Sequence, residues 1–196
     1  SLFCGYQENA GIHYVEGSYL ASNPFTYLHT RKIIMLEEGV WLVVDDIRCA
    51  GEHELRTQFI LDSQVAGSPS QVNDLKIWSE IPLALEKTFI SKKYNELEES
   101  YKLVKIQKFS DRIIDATLIM DQSFTVKYHT VYQTDGRRLP NALAIEIEND
   151  CTTKLILVLN DDIYKGEKLC VVNGIKTRGK CVIYDKKTCT KIRLKS

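Results

Sequence analysis

Three features of this 196-residue sequence predict an all-β fold, an antiparallel β-sandwich of about a dozen strands. Short runs rich in Val, Ile, Thr and Tyr recur along almost its whole length, and such residues suit a pleated, half-buried surface. Gly, Asn, Asp or Lys clusters separate these runs at the spacing of an antiparallel sandwich. Helical signal is confined to NELEESYKL at 95–103, where Tyr101, Leu103 and Val104 fit the start of a strand equally well.

Taken in order, GIHYVEGSYL reads as a lead-in before the sheet, with His13 in a loop. Strands are expected at 25–36 and 40–48, joined by a turn at Glu37–Glu38–Gly39, and then at 53–62. Two longer loops, VAGSPSQVND at 65–74 and SKKYNELEES at 91–100, flank strands at 74–79 and 83–90. Further strands are expected at 101–109, 112–120, 124–134, 142–148, 154–160, 168–173, 180–185 and 189–194. VKYHTVYQ at 126–133 alternates well, and LAIEIEND at 143–150 alternates apolar with acidic residues, as a strand with one wet face should. The C-terminal stretch reads as a hairpin turning near Asp185–Lys187. No linker and no internal repeat divides the chain, so residues 1–196 read as a single β-sandwich domain.

Composition excludes several classes of function. Lys plus Arg number 26 and Asp plus Glu number 26, a balance with no general attraction for nucleic acid or an anionic membrane. No apolar run approaches the ~18–20 residues that span a bilayer. The N-terminus lacks the pattern of a signal peptide, and SLFCGYQENAG reads as a cut from a longer protein whose signal region lies elsewhere. The basic C-terminal tail is the local exception. It reads first as a solvated edge that resists sheet-to-sheet association, with an anionic-polysaccharide contact as the alternative. The six cysteines, at 4, 49, 151, 170, 181 and 189, form no C-x-x-C pair. They read as mostly reduced thiols, Cys181 and Cys189 being the pair to check.

The richest stretch is FTYLHTRKIIMLEEGVWLVVDDIRCAGEHELRTQFIL at 25–61, where His29, Arg31, Asp45, Asp46 and His53 interrupt apolar sequence. A core-facing strand carries ionisable groups only when they are paired or bind something, because an isolated buried charge is costly. Register decides the pairing. With a two- or four-residue turn at 37–39, His29 and Arg31 share a face with Asp46; a three-residue turn places Asp45 there instead. One reading is an ion pair of Arg31 with Asp46, with His29 hydrogen-bonded beside it. The other is a metal site, His29, Asp46 and His53 around Zn²⁺ with an open fourth position, as in a free-standing metalloenzyme. His13 and His129 read as structural. Asp45–Asp46 and Asp161–Asp162 are strand neighbours that point to opposite faces, so neither forms an acid/base pair. No nucleophile elbow, phosphate loop, dinucleotide fingerprint or H-E-x-x-H motif is present.

The order of these motifs resembles the C-terminal domain of heparinase II/III-like polysaccharide lyases. It runs His29-Thr30-Arg31, then Trp41 to Asp46, Gly51-Glu52-His53, and Phe59-Ile60-Leu61. GIHYVEGSYL resembles that family's segment before the H-x-R strand, and FISKKYNELEES resembles its S-x-x-Y-G segment, with Asn95 in place of the glycine. The resemblance covers residues 10–120 and is topological beyond. It implies a β-sandwich appended to an α/α-toroid catalytic domain absent from this chain. Such lyases cleave uronate-containing acidic polysaccharide by β-elimination: the carboxylate is neutralised, a Tyr or His base removes the C5 proton, and the leaving O4 is protonated. The resemblance implies that most catalytic residues lie in the toroid, the upstream partner of this domain, with His29 contributing to the cleft. It also implies a structural metal, Zn or Ca, in some members, for which His29 and Asp46 match the first two ligands. Ile60 stands where a later histidine is expected. A carbohydrate-binding or purely structural sandwich with no lyase partner is the competing reading.

Overall fold

A computed structural model of the chain describes residues 3–22, 24–61, 71–72, 74–161 and 169–195. The fold is an all-β antiparallel sandwich, as expected, with no helix among the described residues. Its strands are β1 (Phe3–Asn9), β2 (Ile12–Ala21), β3 (Tyr27–Met35), β4 (Trp41–Leu61), β5 (Gln71–Val72), β6 (Leu75–Trp78), β7 (Ala84–Lys93) and β8 (Glu96–Asp121). There follow β9 (Thr125–Tyr128), β10 (Val131–Gln133), β11 (Ala142–Glu148), β12 (Thr153–Leu159), β13 (Leu169–Val172), β14 (Ile175–Arg178), β15 (Cys181–Asp185) and β16 (Thr190–Lys195). The chain divides into two compact units: residues 1–4 with 16–122, and residues 5–15 with 123–196.

The first unit is organised on two long strands. β4 and β8 pair antiparallel over their length, β3 flanks β4, and β7 and β6 pair with opposite ends of β8. Four of the expected strands are therefore two. Runs 40–48 and 53–62 merge into β4, and 101–109 and 112–120 merge into β8. The turn-forming residues that separated them build a bulge at Cys49/Glu52 instead. Gly51 (φ 94°) and Asp111 (φ 62°) both take positive φ, and the Gly51 amide donates to Asp111 Oδ1 at 2.9 Å. A bulge accommodates such residues without ending a strand. Two extra residues on β4 restore the original parity, so odd-numbered side chains keep one face on both sides of it.

The segment 91–103 is neither loop nor helix. β7 and β8 close a hairpin with Tyr94–Asn95 at its tip, Asn95 taking φ 59°. The lead-in is likewise a strand, β2, and His13 lies on it rather than in a loop, its Nδ1 2.9 Å from Tyr6 Oη. Most of the expected 65–74 loop lies outside the described residues.

In the second unit, a five-stranded sheet ordered β16-β15-β12-β11-β9 and a three-stranded sheet ordered β10-β13-β14 enclose an apolar core. Val131, Leu155, Leu157, Cys170, Val172 and Val182 form its centre. The expected run 124–134 breaks at His129–Thr130, leaving β9 and β10 in different sheets. The C-terminal hairpin turns between Asp185 and Thr190 as expected, making β16 an edge strand. Cys181 and Cys189 are not joined: Cys181 is buried on β15, and Cys189 sits in the exposed turn with φ 56°.

Candidate functional site

The turn between β3 and β4 decides which residues meet. Leu36 N donates to Val40 O at 2.9 Å and encloses Glu37, Glu38 and Gly39, with Gly39 at φ 73°. The three-residue alternative therefore holds, as a left-handed glycine at the end of such a turn favours. Arg31 then faces Asp45 and Thr30 faces Asp46.

Asp45, not Asp46, is the partner of His29 and Arg31. Its Oδ1 accepts from His29 Nε2 at 2.6 Å and Arg31 Nε at 2.7 Å, and its Oδ2 accepts from Arg31 Nη2 at 3.0 Å. A carboxylate only accepts, so Nε2 of His29 carries a proton and Nδ1 is left for another partner. Burial by itself raises the pKa of Asp45, but the hydrogen bonds from His29 and Arg31 and their charges outweigh it and hold the carboxyl below the usual range. Asp45 is buried whereas the Arg31 side chain is 51% exposed, so the fork of the guanidinium is fixed while its outer edge meets solvent.

Asp46 points to the opposite face. Its Oδ1 and Oδ2 accept from Arg112 Nε and Nη2, both at 2.8 Å, and Oδ2 also accepts from Arg48 Nη2 at 3.1 Å. Burial raises its pKa, and the two guanidinium groups more than reverse the shift. The expected Arg31–Asp46 pair is thus replaced by two separate clusters, one on each face of β4. The candidate metal ligands His29, Asp46 and His53 are not brought together, because odd and even residues of a strand diverge. His53 does share a face with His29, but its Nε2 lies 2.9 Å from Ala50 O and 3.0 Å from Cys49 Sγ. Among the described residues no three His, Cys, Asp or Glu side chains converge as a metal site would require.

The His29 face forms a groove of about 580 Å³ within the first unit. His29, Arg31 and Asp45 lie on its floor; Phe25, Tyr27, Phe59 and Phe109 give it aromatic walls. The His53 ring sits between Phe25 and Phe109, with centroids 5.0 and 5.7 Å away. This arrangement offers the cationic N–H donors of Arg31 and the acceptor nitrogen of His29 between flat apolar faces, a combination that suits a ligand with carboxylate or sulfate groups, hydroxyl donors and apolar ring faces.

A second polar cluster lies beside the floor, on the same face of the sheet, and was not singled out from the sequence. Asp115 on β8 stands opposite Asp45 in register. It accepts from Lys105 Nζ at 2.7 Å, Gln107 Nε2 at 2.8 Å and Thr57 Oγ1 at 3.1 Å. Lys105 is fully buried and also donates to Ser79 Oγ, Thr117 Oγ1 and Ala116 O at 2.8, 2.7 and 3.1 Å. Burial lowers its pKa against the pull of Asp115. Two apposed aspartates thus each hold their own cation. The sequence signal was available: Lys105 in LVKI and Asp115 in IIDA each interrupt an otherwise apolar run. In the second unit, His129 is structural as expected, with Nε2 2.8 Å from the buried Glu146.

No protein-family model matches this sequence, and no curated protein matches it. Solved structures do share its fold. A heparan sulfate lyase, HepC from Pedobacter heparinus, matches over 83% of this chain and 29% of its own, with a TM-score of 0.58 and 13% identity. A heparinase III gene product matches over 79% and 27%, at 0.56 and 13%. A further heparinase III structure matches over 79% and 27%, at 0.54 and 11%. The chain therefore spans between a quarter and a third of the structures it resembles.

Proposed function

We propose that this chain is the β-sandwich portion of a heparinase II/III-like lyase, and that its groove binds an acidic, uronate-containing polysaccharide. One observation carries the reading: an arginine and a histidine, held by a single buried aspartate, line an aromatic-walled groove in a fold shared with heparinase III structures. Arg31 supplies charge-assisted donors for a carboxylate or sulfate. His29, oriented through Nε2, presents its second ring nitrogen to a ligand, and the aromatic faces pack on sugar rings. The β-elimination itself belongs to a catalytic domain elsewhere in the parent protein, to which this portion adds one wall of the cleft.

Titration of the ¹⁵N-labelled chain with heparan sulfate oligosaccharides tests the proposal. Amide shifts should cluster at residues 25–31 and 43–59 and weaken in Arg31→Gln. Shifts absent from that region at millimolar ligand would refute it. The aromatic walls equally suit a carbohydrate-binding module without a lyase partner. The two readings separate on the parent gene: an upstream helical hairpin array carrying Tyr and His motifs supports the lyase, and its absence supports the module.

A further inference from the structure

Positive charge is segregated in this electrically neutral chain. Residues 175–196 hold eight Lys or Arg against a single Asp. In the second unit, the strands that carry it come from different sheets yet lie side by side. Lys191 Nζ on β16 donates to Lys176 O on β14 at 2.7 Å, and Arg193 Nε donates to Arg178 O at 3.0 Å. The contacts advance by two residues on both strands, so β14 and β16 run in the same sense. Thr177 and Leu194 are buried, whereas Lys176, Arg178, Lys191 and Arg193 are exposed. Alternation therefore turns the cations outward in two adjoining rows, spaced ~6.7 Å along each strand.

Protection of an edge strand explains lysines on β16 alone. It does not require a second cationic row on β14. Nor do their contacts neutralise Lys191 and Arg193: both donate to backbone carbonyls and Lys191 also lies over the Tyr184 ring, uncharged groups that leave the formal charge in place. The strip thus keeps a positive field on an otherwise balanced molecule.

We infer that β14 and β16 form a second, purely electrostatic binding strip for a linear anionic polysaccharide, separate in residues and chemistry from the aromatic-walled groove. The inference takes its ligand class from the proposed function. A charged polymer without bases fits better than nucleic acid. Single strands require aromatic stacking platforms, and Tyr184, the only aromatic residue between 175 and 196, already carries the Lys191 ammonium 5.6 Å from its ring centroid. The strip adds binding without adding a reaction.

The test compares the intact chain with Lys176→Gln/Lys191→Gln/Arg193→Gln on immobilised heparin, and repeats the oligosaccharide titration on both. Wild type should be retained in a salt-dependent manner. The variant should elute at lower salt, its apparent affinity for long heparin reduced roughly tenfold, as expected for three exposed charge contacts. Its groove amides should still respond to short oligosaccharides. Equal elution of variant and wild type overturns the inference, provided circular dichroism shows both folded. So does wild-type binding to duplex DNA that matches heparin binding at equal salt. Charge-dependent retention without groove shifts refutes the proposed function and leaves the strip standing as an anion-binding surface.

Discussion

Removing the Lys105 ammonium is the most demanding trial of the polar cluster beside the groove floor. Lys105→Met keeps the length and apolar stem of the side chain but deletes a fully buried charge with four partners. Asp115, its side chain 4% exposed, then keeps only the neutral donors Gln107 and Thr57. Breaking one side of a buried ion pair leaves an uncompensated charge and costs about 3–5 kcal/mol. Most of that is the penalty on the surviving carboxylate rather than the worth of the pair. Adding Asp115→Asn should therefore recover at least half of the loss, since the charge is gone while the amide oxygen can still accept from Gln107 and the amide NH2 can donate to the Thr57 hydroxyl. Urea denaturation of wild type, Lys105→Met, Asp115→Asn and the double variant gives the complete cycle. A single Lys105→Met variant within about 1 kcal/mol of wild type, in the range typical of exposed ion pairs, would show that Asp115 is solvated and that the cluster is not buried.

Acid should destabilise the chain through Asp45 and Asp46. Both folded pKa values lie below the unfolded value, so their contribution is complete above the usual carboxylate range and is lost as pH falls through the folded values. Denaturation midpoints from pH 6 down to pH 2 should fall less steeply in Asp45→Asn, and parallel curves would contradict this. Asp46→Ala should cost about 3–5 kcal/mol, because it removes the buried carboxylate that accepts from both Arg112 and Arg48; thermal melts check it. Gly179→Ala should cost roughly 2 kcal/mol or more. Gly179 takes φ 133°, and an added Cβ would lie 3.0 Å from both Lys195 O and Val182 Cγ2. A Tm unchanged from wild type would count against that geometry. The chain alone should release no unsaturated uronate product from heparin, heparan sulfate, hyaluronan or alginate; growth of ultraviolet absorbance would refute the assignment of the chemistry to another domain. We also propose that residues 1–196 unfold as one domain, because β1 and β2 each run through both compact units. Two separated calorimetric transitions would refute it.

The sequence by itself determined the fold class and most of the strands, because alternation and turn residues are local signals that survive in any tertiary context. It also singled out the stretch 25–61, in which His29 and Arg31 do meet one carboxylate. Strand continuity was beyond it. Gly51 and Asp111 carry the same local signature whether they end a strand or sit in a bulge, and only the partner strand distinguishes the two. The carboxylate was beyond it as well. Asp45 and Asp46 are adjacent, and the choice between them rested on one residue of turn length, which sets the parity of the whole hairpin. Tertiary structure settled that choice in favour of Asp45 and sent Asp46 to the arginines on the other face. It also apposed Asp115 to Asp45 across 70 residues of chain and laid β16 along β14. Such encounters between distant segments depend on how sheets pair and pack, and no local window of sequence contains them.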